Sequence, residues 1–351
     1  MRLGIDAMGN DNGPAPIVQG IKLFLEKDPS ATVVMVGDRD RVTRVLIEEG
    51  IGLSNRLELV HAGQVMEMED KVAALKKKRD SSIMRLVQEM KEGRIDAMVA
   101  LGNTAAAVGA STIVLKLLPG VRRPGIAIAM PTRKPERPCV AIDMGANTSS
   151  KPSHLVTYGV MASIYSEKVL HVKNPRVGLL NVGEERGKGN ESLREAFALF
   201  ENAPVNFIGN VEGGDVFSGN ADVVVCDGFT GNAVLKAAEA MATVMSDLIK
   251  QAFMRNWTTK LGGLLVQSSF ASVKKRIDYA AYGGAPLLGV NGVCTIGHGR
   301  SRPNAVASAL RAAGESVKGR VNEVIRDHIG KMRQSARILP ADKPDGDDAN
   351  E

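Results

Sequence analysis

Short apolar runs alternate with glycine-rich turns and amphipathic stretches along most of this chain. Val223, Val224, Val225 and Cys226 form a continuous apolar run, as expected of a strand buried on both faces of a parallel sheet. Asp227, Gly228, Phe229, Thr230 and Gly231 break it with turn residues, and Val234, Ala238, Met241, Met245, Leu248 and Ala252 then recur at helical spacing. The same order of strand, turn and helix recurs. Strands are predicted at 3–8, 32–37, 56–62, 95–100, 126–130, 139–144, 177–182, 205–208 and 293–296, with helices at 16–27, 42–49, 191–200 and 305–329. This is the pattern of one α/β unit with a mostly parallel sheet, spanning 1–339, with a helical hairpin inserted at about 240–278. The polar, acidic segment 340–351 reads as a disordered tail.

Glycine-asparagine pairs recur at these strand ends: Gly9-Asn10, Gly102-Asn103, Gly189-Asn190, Gly209-Asn210 and Gly231-Asn232. Each alone reads as a turn, with Asn232 capping a helix and Asp227 closing the loop before it. Together they read as one polar floor, because ligands gather outside the carboxyl ends of strands, where helix N-termini face anions. The run from Lys71 to Arg79 reads either as a solvated face or as a docking patch for an acidic partner or a phosphate.

The 351 residues carry a net charge of +6, and the last ten hold five acids and one lysine, so the body is more basic still. A basic body suits an acidic substrate, an acidic protein or an anionic membrane surface. Aromatics make up 4% and are scattered, which argues against nucleic acid. Cys139, Cys226 and Cys294 are far apart and read as buried, reduced thiols of a cytosolic protein. No signal peptide is expected at the start, and 97–115 reads as strand, loop and helix rather than as a membrane span. No GxGxxG fingerprint precedes Asp38, so a dinucleotide site has little support.

The predicted loops are poor in bases and offer amides, backbone N–H groups and Lys188 instead. Such a site stabilises negative charge without removing protons. Inorganic phosphate fits it as a nucleophile already ionised at neutral pH, and a thioester fits as an electrophile whose thiolate leaves without a strong acid. Lys188 then neutralises phosphate charge and Asn232 donates to the tetrahedral oxyanion. The competing reading of Lys188 is a solvent-exposed lysine on a loop.

Ile5-Asp6-Ala7-Met8-Gly9, Asp80-Ser81-Ser82, Gly102-Asn103-Thr104 and Asp143-Met144-Gly145-Ala146-Asn147 stand in order along the chain. The segment 174–185, Lys188-Gly189-Asn190, the segments 209–213, 227–236 and 282–289, and His298-Gly299 follow. Over about residues 3 to 312 these motifs make the chain resemble the phosphate acyltransferase family of bacterial phospholipid synthesis. Ala105, Gly214 and Arg300 depart from that family's pattern.

The resemblance implies a three-layer α/β/α sandwich akin to isocitrate and isopropylmalate dehydrogenases. It also implies formation of acyl phosphate from a fatty acyl-acyl carrier protein thioester and phosphate. The product would pass to a membrane glycerol-3-phosphate acyltransferase. It implies no separate cofactor, the acyl group arriving on the phosphopantetheine of acyl carrier protein, and no metal. It implies a homodimer in the cytoplasm, associated peripherally with the inner face of the cell membrane. Lys188 and Asn232 carry over as catalytic. Asn103, Thr104, Asp143, Asn147, Glu185, Asn210, Asp227, Gly228, Thr230, Gly231 and His298 carry over as substrate contacts. Trp257, Leu261, Leu264 and Leu265, flanked by basic residues, read as an anchor in an anionic membrane surface, or as a hairpin packed on a dimer partner. Rival readings are a phosphotransacetylase-like enzyme acting on coenzyme A thioesters, an NAD-dependent dehydrogenase of related fold, and a non-catalytic membrane scaffold.

Overall fold

A computed structural model describes residues 1–277 and 283–334, with the side chains of 268 and 270–277 outside the description. The segment 340–351 lies outside the described residues, as does Tyr282. The strands are β1 (Arg2–Asp6), β2 (Thr32–Gly37), β3 (Leu57–His61), β4 (Ala97–Leu101), β5 (Gly125–Met130), β6 (Cys139–Ile142), β7 (Arg176–Leu180), β8 (Asn206–Val211), β9 (Val223–Val225), β10 (Ala285–Leu288) and β11 (Val293–Gly297). They form one sheet in the order β3-β2-β1-β4-β11-β10-β5-β6-β9-β7-β8.

The helices that matter for the site are α3 (Ser82–Lys91), α4 (Thr104–Val114), α5 (Pro152–Lys168), α6 (Glu191–Phe200), α7 (Asp215–Ser218), α8 (Gly228–Met254) and α9 (Trp257–Ile277). Helices α3, α4 and the start of α8 share one buried cluster on one face, where Ala106, Ala107, Met144 and Leu235 meet. The opposite face carries α5 and α6 with α11 (Val321–Gln334) over one half, and α1 (Ala15–Lys27), α2 (Arg39–Glu48) and α10 (Pro303–Lys318) over the other. Three layers result, as the family resemblance implies. The strands that read as continuous apolar runs, β4, β5, β6 and β9, are buried along their whole length, because helices cover both of their faces.

Strand direction corrects one expectation. Strands β3, β2, β1, β4 and β11 run parallel, and so do β6, β9, β7 and β8. Between them β10 pairs antiparallel with β11 and with β5, and β5 antiparallel with β6. Three reversals leave the two halves running in opposite directions. The expected single floor is therefore split. The turns at Gly9-Asn10, Gly102-Asn103 and His298 end strands of the first half, while those at Asp143, Lys188, Asn210 and Asn232 end strands of the second.

Sheet twist changes what that split means. From β4 to β9 the sheet takes five steps. At roughly 20–25° per step the strand direction turns through about 100–125°. Two sets of strands that run oppositely across so large a turn have carboxyl ends leaning toward one face. With right-handed crossovers, that face is the one carrying α3, α4 and α8. The two groups of turns thus flank one side of the molecule from two lobes.

Candidate active site

The second-half site is built around a carboxylate. Asp143, at the end of β6, is 0% exposed. Its Oδ1 accepts from the backbone N–H of Ile126, Gly145 and Ala146, and its Oδ2 from the N–H and the side-chain amide of Asn147. Burial pushes this carboxyl above its ordinary value, and those same hydrogen bonds pull against it. The Asn147 amide also donates to the Pro124 carbonyl and the Tyr158 hydroxyl. With these groups committed inward, Asp143 and Asn147 frame the 143–147 loop.

Helix α8 seats its first turn on that loop. Asp227 caps it, Oδ1 accepting from the Thr230 N–H at 2.9 Å and Oδ2 from the Thr230 hydroxyl at 2.8 Å. The cap is therefore Asp227, and Asn232 lies inside the helix. A Cβ added at Gly231 would stand 1.9 Å from the Asp143 carbonyl oxygen, and one at Gly228 2.2 Å from that of Asn147. Only glycine permits this approach. Because Gly228, Gly231 and Leu235 face inward, Asn232 is turned out and exposed beside Gly145, where an added Cβ would lie 3.4 Å from the Asn232 Cβ.

Strand β7 lies next to β9, so its loop adjoins the α8 turn. Asn181 organises it. Its side-chain amide donates to the Lys188 carbonyl at 3.1 Å and its Oδ1 accepts from the Val182 N–H at 2.8 Å. Asn210, 5% exposed, donates to the Glu185 carbonyl at 2.8 Å, and its Oδ1 has no protein partner. The Lys188 ammonium stands half-exposed, 3.9 Å from the exposed Glu185 carboxylate. Asn190 caps α6 by accepting from the Leu193 N–H. The result is a half-open cation and an outward-facing amide on neighbouring turns, on a rigid frame of asparagine and aspartate contacts.

The first-half turns differ. Asn103 caps α4 through the Ala106 N–H, and its amide donates to the carbonyls of Glu67, Met68 and Asp70. It thereby pins the basic segment beginning at Lys71, and Thr104 beside it is exposed. His298 is exposed, its Nδ1 accepting from the Arg300 N–H, and Arg300 reaches Asp11 at 3.4 Å. These residues belong to the other lobe and are not brought into contact with Lys188 or Asn232 by any of these bonds. The three cysteines are free and buried, as expected, and burial raises each thiol pKa, that of Cys294 to about 12.

Asn181, which holds the Lys188 loop, was missed by sequence reasoning. The signal was an asparagine directly after an apolar strand.

A family model described as fatty acid synthesis protein matches residues 1–324. The chain is 42% identical over 336 residues to the phosphate acyltransferase of Desulforudis audaxviator, covering 95% of this chain and 98% of that protein. It is 43% identical over 334 residues to that of Heliobacterium modesticaldum, covering 95% and 99%. Among solved structures, a phosphotransacetylase from Streptococcus pyogenes matches with a TM-score of 0.62 at 16% identity, covering 91% of this chain and 94% of that one. A branched-chain phosphotransacylase from Enterococcus faecalis V583 matches with 0.55 at 14% identity, covering 90% and 100%. At such identity these two structures speak for the fold alone. The relatives at about 40% identity and the family model speak for descent: the chain belongs to the phosphate acyltransferase family and is an acyltransferase.

Proposed function

We propose that this acyltransferase moves a fatty acyl group from the thioester of acyl carrier protein to inorganic phosphate. A phosphate oxygen attacks the thioester carbonyl, the C–S bond breaks, and acyl phosphate and the carrier thiol leave. The observation that carries this reading is the pairing of a half-exposed ammonium, Lys188, with an outward amide, Asn232, on turns of adjacent strands. Lys188 offsets the charge of phosphate as it approaches. Asn232 donates to the oxyanion that forms on the former carbonyl, helped by backbone N–H groups at the start of α8. A nucleophile already ionised needs no base, and a thiolate needs no strong acid to depart. Glu185, Asp227, Gly228, Thr230, Gly231 and Asn210 shape this side, while Asn103, Thr104 and His298 border it from the other lobe.

The basic body suits an acidic carrier protein, which delivers the acyl group on its own phosphopantetheine, so no further cofactor is required. Trp257 (77% exposed), Leu261, Leu264 and Leu265 (79%) form an apolar end on the α8–α9 hairpin. Met241, Val244, Met245 and Leu248 continue it along α8. This supports a homodimer through α8, with the tip resting on the anionic inner face of the cell membrane from the cytoplasm. Acyl phosphate formed there would feed a membrane glycerol-3-phosphate acyltransferase. A second reading, transfer from acyl-coenzyme A, is favoured by the fold likeness to the phosphotransacetylase.

Incubating the purified chain with palmitoyl-acyl carrier protein and phosphate, and trapping acyl phosphate as its hydroxamate, tests the proposal. Hydroxamate and free carrier thiol are expected. Product from palmitoyl-coenzyme A alone would favour the second reading, and none from either thioester would overturn both.

A further inference from the structure

Two large apolar side chains stand out in water among the polar groups of the Lys188–Asn232 site. Phe229 is 72% exposed and Val182 80%. Their positions follow from the bonds that build the site. Gly228, Gly231 and Leu235 fix one side of α8 against the 143–147 loop and the shared core. A helix pinned that way turns residues 229, 232 and 236 to the next side round, so the Phe229 ring and the Asn232 amide are neighbours one turn apart. Val182 sits at the end of adjacent β7, its N–H held by the Asn181 side chain that also holds the Lys188 carbonyl. Each polar group of the site thus has an apolar companion on its own loop.

Neither companion is there for the core. The cluster beneath α8 closes with Leu235, Ala238 and Met144 and includes neither residue. Nor does either extend the hairpin's apolar end, which starts more than three helical turns further on at Met241.

We propose that Phe229 and Val182 form the lip on which the acyl chain lies, a role that rests on the thioester reading above. With the thioester carbonyl at Asn232, the methylenes next to it fall across the Phe229 ring, and Val182 closes the other side near Lys188. The lip gives the site a preference for long alkyl chains over acetyl-sized groups. Phosphate, entering at Lys188, does not touch it.

The test uses binding, so that it reads separately from acyl transfer. S-alkyl pantetheine thioethers, from butyl to dodecyl, cannot react, and their affinity is measured by calorimetry on the full chain. In the wild type, affinity should rise by roughly fourfold for each methylene that reaches the lip. Phe229→Ala should flatten that rise and weaken dodecyl binding about tenfold or more, while Phe229→Leu keeps part of it. Equal chain-length dependence in wild type and Phe229→Ala would overturn the proposal. So would a wild type indifferent to chain length. A Phe229→Ala chain that sediments as a smaller species than the wild type would assign the ring to contact with a second copy, and would overturn it as well. If the thioethers bind as expected but no acyl phosphate forms, the lip stands and the reaction does not.

Discussion

Asp143 ties the end of β6 to the start of α8 from a fully buried position. Its carboxylate accepts five N–H bonds and its carbonyl is covered by Gly231, so the loop and the first turn of α8 are packed together. Asp6 has a similar place in the first half, accepting from the Met8 N–H and held by Ser82 and Gly9. Burial pushes its pKa up to about 6, against an ordinary value of 3.8. A carboxyl whose folded value is raised contributes stability that is complete below the unfolded value and is lost as pH rises through the folded one. Asp6→Asn removes that titration and keeps an acceptor for Met8. The melting temperature of the variant relative to wild type should therefore rise between pH 4 and pH 7, with the change centred between the two pKa values. A difference that stays constant over that range would contradict the buried carboxyl.

The α8–α9 hairpin carries exposed apolar residues near its tip and along α8, and no helix among the described residues is long and apolar enough to cross a membrane. A Leu264→Glu/Leu265→Glu chain should lose binding to anionic vesicles in flotation while its melting temperature stays near that of wild type, because both side chains are exposed. Unchanged flotation would leave the hairpin to the dimer alone. Most elements were legible in the sequence, since apolar runs and helical spacing report burial directly: the strand at 32–37 and the helix at 191–200 have the expected limits. Others were not. The periodicity from 305 to 329 belongs to two helices, broken at Gly319 and Arg320, where Arg320 turns to a φ of 51° that spacing does not reveal. Strand β10, four residues containing a proline, gave too short a signal.

At the scale of the molecule, what the sequence conceals is direction. A buried strand reads the same either way along a sheet, so the reversals at β10 and β5 were invisible and the glycine-asparagine turns looked like one row. The residues proposed to act on phosphate and thioester lie on neighbouring turns of the second half, and the twist of the sheet leans the first-half turns to the same side. The reaction proposed above relies on one ammonium and a set of fixed dipoles, without a residue that shuttles protons. Its most direct measurement is hydroxamate-trapped turnover of acyl-acyl carrier protein by wild type, Lys188→Ala and Asn232→Ala, with circular dichroism confirming that all three are folded. Asn232→Ala should lose on the order of 10²–10³ in kcat, and Lys188→Ala at least as much. Turnover near wild type in either folded variant would contradict this.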